Sequence, residues 1–245
     1  MKERIDKLLT DRGLAPSRTK AQAMVMAGVV LVNDFRVEKP SQTFESDSNI
    51  RIKGDTPDSR YVGRGGLKLE RALYAFNIDP QGLTCLDIGS STGGFTDCLL
   101  QHGAAHVTAI DSGTNQLDWR LRSDPRVDVR ENTNARELLR EEFFSPFDLA
   151  VMDVSFISVK KILPVLMPLL IENGRIIVLI KPQFEVGKGE VGKGGVVRDP
   201  EKHDRVVREV NEFARAIGMT PAGLIESPIL GAEGNKEFLA LYELD

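Results

Sequence analysis

The sequence predicts an α/β protein in which a mainly parallel β-sheet carries helices on both faces, preceded by a small α+β domain. Three observations point there. From residue 84 onward, short β-rich runs alternate with helical stretches. The first of those runs passes through a glycine-rich turn directly into a helix. The first 53 residues follow a different plan, two short amphipathic helices and a few brief β-rich runs. A chain of 245 residues with 41% apolar and 28% charged residues can bury one large core or two smaller ones. Its mixed composition excludes collagen, coiled coil and disorder.

Residues 3–12 read as a helix with Ile5, Leu8 and Leu9 on one face and Gly13 just past its end. Ser17 is a good N-cap for a second helix over 18–27, with Ala21, Met24 and Val25 inward and Gly28 ending it. Val29 to Val32, Asn33-Asp34 and Phe35 to Val37 read as a hairpin with an Asx turn. Ile50-Arg51-Ile52 is a last short strand. This order, with Arg4-Ile5-Asp6-Lys7-Leu8-Leu9, Ser17-Arg18, Ala21 and Gly28 to Asn33, resembles the small RNA-binding domain of the ribosomal S-four type. The resemblance implies that Arg4, Arg18 and Lys20 meet RNA phosphates. Charge agrees in direction. Residues 1–53 carry ten Lys and Arg against seven Asp and Glu, a net of +3, while the remainder carries 22 against 29, a net of −7. The boundaries expected are 1–53 for this domain, 54–63 for a polar, turn-rich linker and 64–245 for the second domain. Three glycines around Arg64 (Gly63, Gly65, Gly66) suggest backbone held close to something, ahead of a helix from Leu67 to Phe76.

The second domain yields seven strands. They are expected at Thr84–Ile88, Val107–Asp111, Val127–Val129, Asp148–Asp153 and Arg175–Ile180, then 221–226 and 236–243. Helices are expected at Gly94–Gln101, 115–123, 135–143, 159–171 and 201–217. Ligands of such sheets bind outside the carboxyl ends of the strands, where the topology reverses. Asp87, Asp111, Asp153 and Lys181 all stand at or just past such ends.

The first strand runs into Asp87-Ile88-Gly89-Ser90-Ser91-Thr92-Gly93-Gly94-Phe95. A dinucleotide fingerprint needs glycine where Ser91 stands, and no G-x-x-x-x-G-K-[ST] phosphate loop occurs. Asp87 suits a cationic amino group, and Asp111, 22 residues after Gly89, suits a ribose diol. An amino-acid cation joined to a nucleoside is S-adenosylmethionine, so the fold expected is the Rossmann-like fold of methyltransferases using it. The glycines are read as letting the cofactor approach the backbone. Asp153-Val154-Ser155-Phe156 replaces the Asn/Asp-Pro-Pro-Tyr of amino-directed enzymes. Cys85 and Cys98 lie inside a strand and a helix, which disfavours a cysteine nucleophile. His102, His106 and His203 have no ligand spacing, so no metal is expected.

Lys68, Asp153, Lys181 and Glu237 form the Lys-Asp-Lys-Glu set of the FtsJ-like ribose 2′-O-methyltransferases, and nearly the whole chain resembles the TlyA family of ribosomal RNA 2′-O-methyltransferases, historically labelled hemolysins. The stretches that carry this include Arg64 to Leu69, Asp87 to Phe95, Gln116 to Trp119 and Thr133 to Arg136. Asp153 to Ser158, Lys181 to Lys188, Gly195 to Pro200 and Gly234 to Leu239 complete them. The resemblance implies a ribose 2′-hydroxyl of rRNA as acceptor, in a cytidine, and rRNA or ribosomal subunits as partner. It implies Lys181 nearest the hydroxyl, Lys68 beside it, and Asp153 and Glu237 orienting the lysines. Asp87, Gly89, Ser91, Gly93, Gly94, Phe95, Asp111, Asn134 and Asp153 would hold the cofactor, and Arg64 would join the RNA contacts. Two other classes stay open, a membrane-lytic protein and an RNA-binding assembly factor without catalysis. The longest apolar stretch, Ile162 to Ile171, is broken by Pro164 and Pro168, and the N-terminus is charged where a signal peptide is apolar. A cytoplasmic protein without an obligate protein partner is expected.

Overall fold

The computed structural model describes residues 2–15, 17–32, 35–46, 48–52, 60–187 and 189–244. The chain divides into two compact units, Met1–Arg60 and Tyr61–Asp245. The expected linker at 54–59 lies outside the described residues. Tyr61 to Gly63, also expected in the linker, belong to the second unit. Tyr61 is buried there, and the Val62 N–H donates to Asp97 Oδ2 at 2.8 Å.

The first unit runs β1 (Lys2–Arg4), α1 (Ile5–Asp11), α2 (Arg18–Met26), β2 (Val30–Val32), β3 (Phe35–Arg36), β4 (Thr43–Glu45) and β5 (Ile50–Ile52). Three strands form an antiparallel sheet in the order β3-β2-β5, and β1 pairs with β4. The expected helix over 3–12 starts only at Ile5, because residues 2–4 are taken up by β4, a strand the sequence pattern did not reveal. Ser17 caps α2 as expected, its Oγ accepting the Lys20 N–H at 3.2 Å. The hairpin strands are present, and their Asn33-Asp34 turn lies outside the described residues. Ile5, Leu9, Ala21, Val25, Val30 and Val32 close a small core.

The second unit runs α3 (Gly65–Ala75), β6 (Thr84–Ile88), α4 (Gly94–Gln101), β7 (His106–Ile110), α5 (Trp119–Arg122), β8 (Val127–Arg130) and β9 (Phe147–Met152). It continues with α6 (Leu163–Leu166), β10 (Leu170–Ile180), α7 (Pro182–Glu185), α8 (Pro200–Ala216), β11 (Met219–Glu226) and β12 (Phe238–Leu244). One seven-stranded sheet has the order β11-β12-β10-β9-β6-β7-β8. The five strands from β10 to β8 are parallel, and β12 is antiparallel to both its neighbours. Alternate residues feed opposite faces. Ala150, Met152, Ile176 and Val178 join the core under α6 and α8, while Leu149, Val151, Ile177 and Leu179 join the core under α3 and α4. This is the doubly wound sheet the sequence predicts.

Three expected helices are shortened or absent. Over 115–123 only the single turn of α5 forms, because the N–H groups of Asn115, Gln116 and Leu117 donate to the Glu131 carboxylate instead of building a helix. Residues 135–143 hold only a 3₁₀ turn at Arg140–Glu142. Leu138 and Phe143 both reach the core from this stretch, and a five-residue spacing does not fit one helical stripe. Residues 159–171 break into short turns at Pro164 and Pro168, and Leu170 already opens β10. Among the described residues no helix is long and apolar enough to cross a membrane.

Candidate functional site

The chain walks outward from β6 through β7 to β8, then returns to place β9 on the other side of β6. The crevice of this sheet therefore opens at the carboxyl ends of β6 and β9. A cleft of about 670 Å³ lies there, with Gly89, Ser91, Asp111, Asn134, Asp153 and Phe156 in its walls. A smaller adjoining cleft of about 190 Å³ is lined by Gly65, Gly94, Phe95, Asp153, Ser155 and Lys181.

Asp87 is fully buried at the end of β6. Its Oδ2 accepts a 2.6 Å hydrogen bond from Thr96 Oγ1 on α4, and its Oδ1 has no hydrogen-bond partner among the described residues. Burial pushes this carboxyl up to about 7; the Thr96 bond opposes the rise, and the charges of Asp153 and Asp111 add to it. Asp111 steadies the loop after β6, its Oδ2 accepting the Ser91 N–H at 2.8 Å and its Oδ1 the Gly113 N–H at 2.7 Å. Ser91 takes the left-handed conformation, with φ 49°. Asn134 stands in the cleft wall with its amide turned back to Glu137 Oε1 at 2.6 Å.

The glycines also allow close packing within the protein. A Cβ on Gly93, at φ +98°, would lie 2.2 Å from Leu121 Cδ1 and 2.8 Å from Leu117 Cδ1. One on Gly89 would lie 2.4 Å from the Asp153 carbonyl oxygen. One on Gly94 would meet the backbone of Gly66, Gly63 and Gly65 at 2.9 to 3.2 Å. These residues are small so that protein can approach protein. Of the glycines around Arg64, Gly63 faces Thr92 and Gly94, Gly65 faces the Phe95 ring, and Gly66 faces the Tyr61 ring. Gly89 and Gly94 still offer backbone to the clefts, whereas Gly93 is spent on the two leucines.

Two ion pairs stand at neighbouring strand ends. Lys181, just past β10, places Nζ 2.6 Å from Asp153 Oδ1 and donates to Ser155 Oγ at 2.9 Å. Lys68 on α3 donates from Nζ to Glu237 Oε2 at 2.6 Å, with both residues buried. The antiparallel register pairing Ile180 with Phe238 sets Lys181 and Glu237 at adjacent strand ends. Each lysine thus has its own carboxylate. Cys85 is buried, and burial pushes its thiol up to about 12, which leaves it inert as a nucleophile at neutral pH.

Several residues at the site were not singled out from the sequence. Phe156 is 91% exposed, lines the larger cleft and holds a positive φ of 64°, strained for a bulky side chain. Its ring lies 5.1 Å from that of Phe184. Glu131 gathers Arg122 as well as the three N–H groups already named, and this pulls its carboxyl down to about 2. Strand periodicity signals none of these; an acidic residue directly after a strand was the one available hint for Glu131.

In the first unit, Asp6 is fully buried and accepts from Arg4 at 3.1 and 2.8 Å, from Gln22 at 2.9 Å and from Arg18 at 3.2 Å. These donors, Arg4 foremost, hold its carboxyl well below the usual range. Arg4 and Arg18 are therefore anchored as well as half exposed, while Lys20 is exposed on the first turn of α2. In the second unit Arg64 is exposed at the start of α3.

Strand order and a switch-point crevice rimmed by carboxylates define the class as the Rossmann-like fold of S-adenosylmethionine-dependent methyltransferases. Sequence comparison agrees: residues 61–243 match the FtsJ-like methyltransferase family and residues 3–50 the S4 domain. The chain is 48% identical to YqxC of Bacillus subtilis, over 97% of its own length and 84% of that protein. It is 45% identical to the 16S/23S rRNA (cytidine-2′-O)-methyltransferase TlyA of Mycobacterium tuberculosis, over 96% of this chain and 87% of that one. A solved structure from Streptococcus thermophilus, 44% identical, superposes with a TM-score of 0.76 over 99% of this chain and 88% of that chain. The chain belongs to the FtsJ-like methyltransferase family, with an N-terminal S4 domain.

Proposed function

We propose that this protein transfers the methyl group of S-adenosylmethionine to a ribose 2′-hydroxyl of ribosomal RNA, in a cytidine as in the TlyA relative. The observation that carries the reading is the Lys181–Asp153 pair on the rim of the cofactor-sized cleft.

The residues present fit the cofactor. Asp87 Oδ1, a buried carboxylate oxygen with no hydrogen-bond partner among the described residues, suits an amino group, and Asp111 in the cleft wall suits a ribose diol. The cleft volume falls within the ordinary range for small-molecule sites. When bound, S-adenosylmethionine supplies an electrophilic methyl group on sulfonium. Asp111, Ser91, Gly89, Gly94 and Asn134, in the cleft walls, would hold it, with Asp87 and Phe95 buried behind them. Gly93 shapes that loop through its contact with the leucines.

The chain's own chemistry concerns the hydroxyl. A ribose hydroxyl is a poor nucleophile at neutral pH, so its oxygen must be positioned and its proton removed. Lys181 Nζ, fixed between Asp153 and Ser155, positions the oxygen; as the neutral amine, its own ammonium proton first passed to solvent, it takes the hydroxyl proton as the oxygen displaces the thioether from the methyl carbon. Lys68 and Glu237 support that geometry from the adjacent strand end. The exposed Phe156 ring offers a face on which the target base stacks. In the S4 unit, Arg4, Arg18 and Lys20 contribute phosphate contacts, and Arg64 adds one beside the site. The test is labelled-methyl transfer from S-adenosylmethionine to deproteinised rRNA, intact subunits and small metabolites in parallel. Transfer to RNA or subunits is expected. RNA binding without transfer to any acceptor would favour an assembly factor and overturn the proposal.

A further inference from the structure

The loops that follow β9 and β10 are cross-linked side chain by side chain, in matching order. Lys181 reaches Asp153 at 2.6 Å and Ser155 at 2.9 Å. Three residues on, the Phe184 ring meets that of Phe156. At the next residue, Glu185 accepts the Ser158 hydroxyl at 2.6 Å and the Val159 N–H at 2.7 Å. Between these contacts sits Phe156, with its strained positive φ. A strained residue persists only where its surroundings hold it. Here the holding is two-sided: Asp153 and Ser155 are tied to Lys181 before it, and Ser158 and Val159 to Glu185 after it.

Glu185 is the far clasp of this arrangement. It ends α7, a single turn that Lys181 directly precedes. It is half-buried, and burial raises its carboxyl above the ordinary value despite the two bonds it accepts. Its hydrogen bonds reach neither the cofactor cleft nor the Lys68–Glu237 pair. What it does reach is the segment that carries Phe156.

We propose that Glu185 is a positioning residue for methyl transfer: by clasping Ser158 and Val159 it fixes the Phe156 loop against the Lys181 turn, so that the target nucleotide and the proton acceptor are held in one register. The proposal rests on the reading of the site as an RNA ribose methyltransferase. Loss of the clasp frees Phe156 to relax, which misplaces the hydroxyl without touching the cofactor. Small misplacements of a reacting group are expensive in rate.

The experiment compares the full-length wild type with Glu185→Ala, Glu185→Gln and the milder Ser158→Ala. It measures kcat and KM for rRNA, S-adenosylmethionine affinity by calorimetry, and amide exchange over residues 154–159. Glu185→Ala is expected to lower kcat at least ~10-fold and raise the RNA KM, with cofactor affinity within about twofold of wild type. Its loop amides should exchange faster. Glu185→Gln retains an acceptor oxygen and should recover most of the rate, and Ser158→Ala should fall between. A Glu185→Ala protein with unchanged kcat, or unchanged exchange over 154–159, would overturn the proposal. So would a loss that Gln does not recover, or an equal loss of cofactor affinity. If Glu185→Ala fails to fold, Ser158→Ala at wild-type kcat and exchange overturns it equally. Failure of the wild type itself to methylate RNA would refute the underlying function instead, and the exchange measurement still decides whether the clasp exists.

Discussion

Replacing Asp87 by Asn should stabilise the ligand-free protein at alkaline pH and weaken its hold on S-adenosylmethionine. The carboxyl is fully buried and its pKa stands at about 7, against an ordinary value of 3.8. At 1.36 kcal/mol per pH unit, keeping it ionised in place costs up to ~4 kcal/mol. The sign follows from proton binding. Between 3.8 and about 7 the folded state holds a proton that the unfolded chain has lost, so wild-type stability falls as pH rises through that window. Above about 7 the loss is complete. Asn carries no charge at any of these pH values, and its amide oxygen can still accept the Thr96 hydroxyl. Melting curves of the two proteins should therefore coincide only below the unfolded value of 3.8, near pH 3, and draw apart steadily above it. They should separate by pH 8.5, with the Asn variant higher by as much as roughly 8–16 °C for a unit of this size. Calorimetry at pH 8.5 should show the opposite ranking for the cofactor, about 10–100-fold weaker in Asn, the range for losing a charge-assisted hydrogen bond. An Asn variant that melts lower than wild type at pH 8.5, or binds the cofactor equally well, would refute the reasoning.

Three further outcomes are expected. Lys181→Ala should lower methyl transfer ~10²-fold or more while S-adenosylmethionine still binds, and Lys181→Arg should not restore it, since guanidinium does not give up a proton near neutral pH. Wild-type turnover in either variant would show that another group accepts the proton. Gly93→Ala should destabilise the second unit by ~1–3 kcal/mol through its left-handed φ and its clash with Leu121, seen as a lower Tm without ligand; an unchanged Tm would return Gly93 to the role of cofactor contact. Glu131→Gln should loosen residues 115–117 and weaken cofactor binding about tenfold, as for a lost charge-assisted bond, so equal affinity would leave Glu131 structural only.

The sheet was legible because its strands are short, nearly continuous apolar runs buried on both faces, as in Leu149-Ala150-Val151-Met152. Strand ends then located Asp153 and Lys181, since a polar residue after such a run emerges at its rim, whereas Asp87, still inside the end of β6, is fully buried. The helices between were less legible where a tertiary partner outbid local preference. Glu131 draws off the N–H groups that would have continued α5, and the core draws in Leu138 and Phe143 from a stretch of good helix formers. The glycine loop was recognised for its location, while its packing inside the protein was not foreseen. Glycine announces close approach without saying to what, and here the neighbours are Leu117, Leu121 and the Gly63–Gly66 backbone. Phe156 and Glu185 were silent for another reason. A positive φ at phenylalanine and a carboxylate bridging two loops are properties of the assembled fold.

The central claim is that the methyl group is delivered to a sugar hydroxyl by way of Lys181. The most direct test is nucleoside mass spectrometry of rRNA treated with the full-length protein and S-adenosylmethionine, reading whether the added methyl stays with the ribose or the base on fragmentation. A methyl on the ribose, absent when Lys181→Ala replaces the wild type, is expected; a methyl on the base would contradict the assignment.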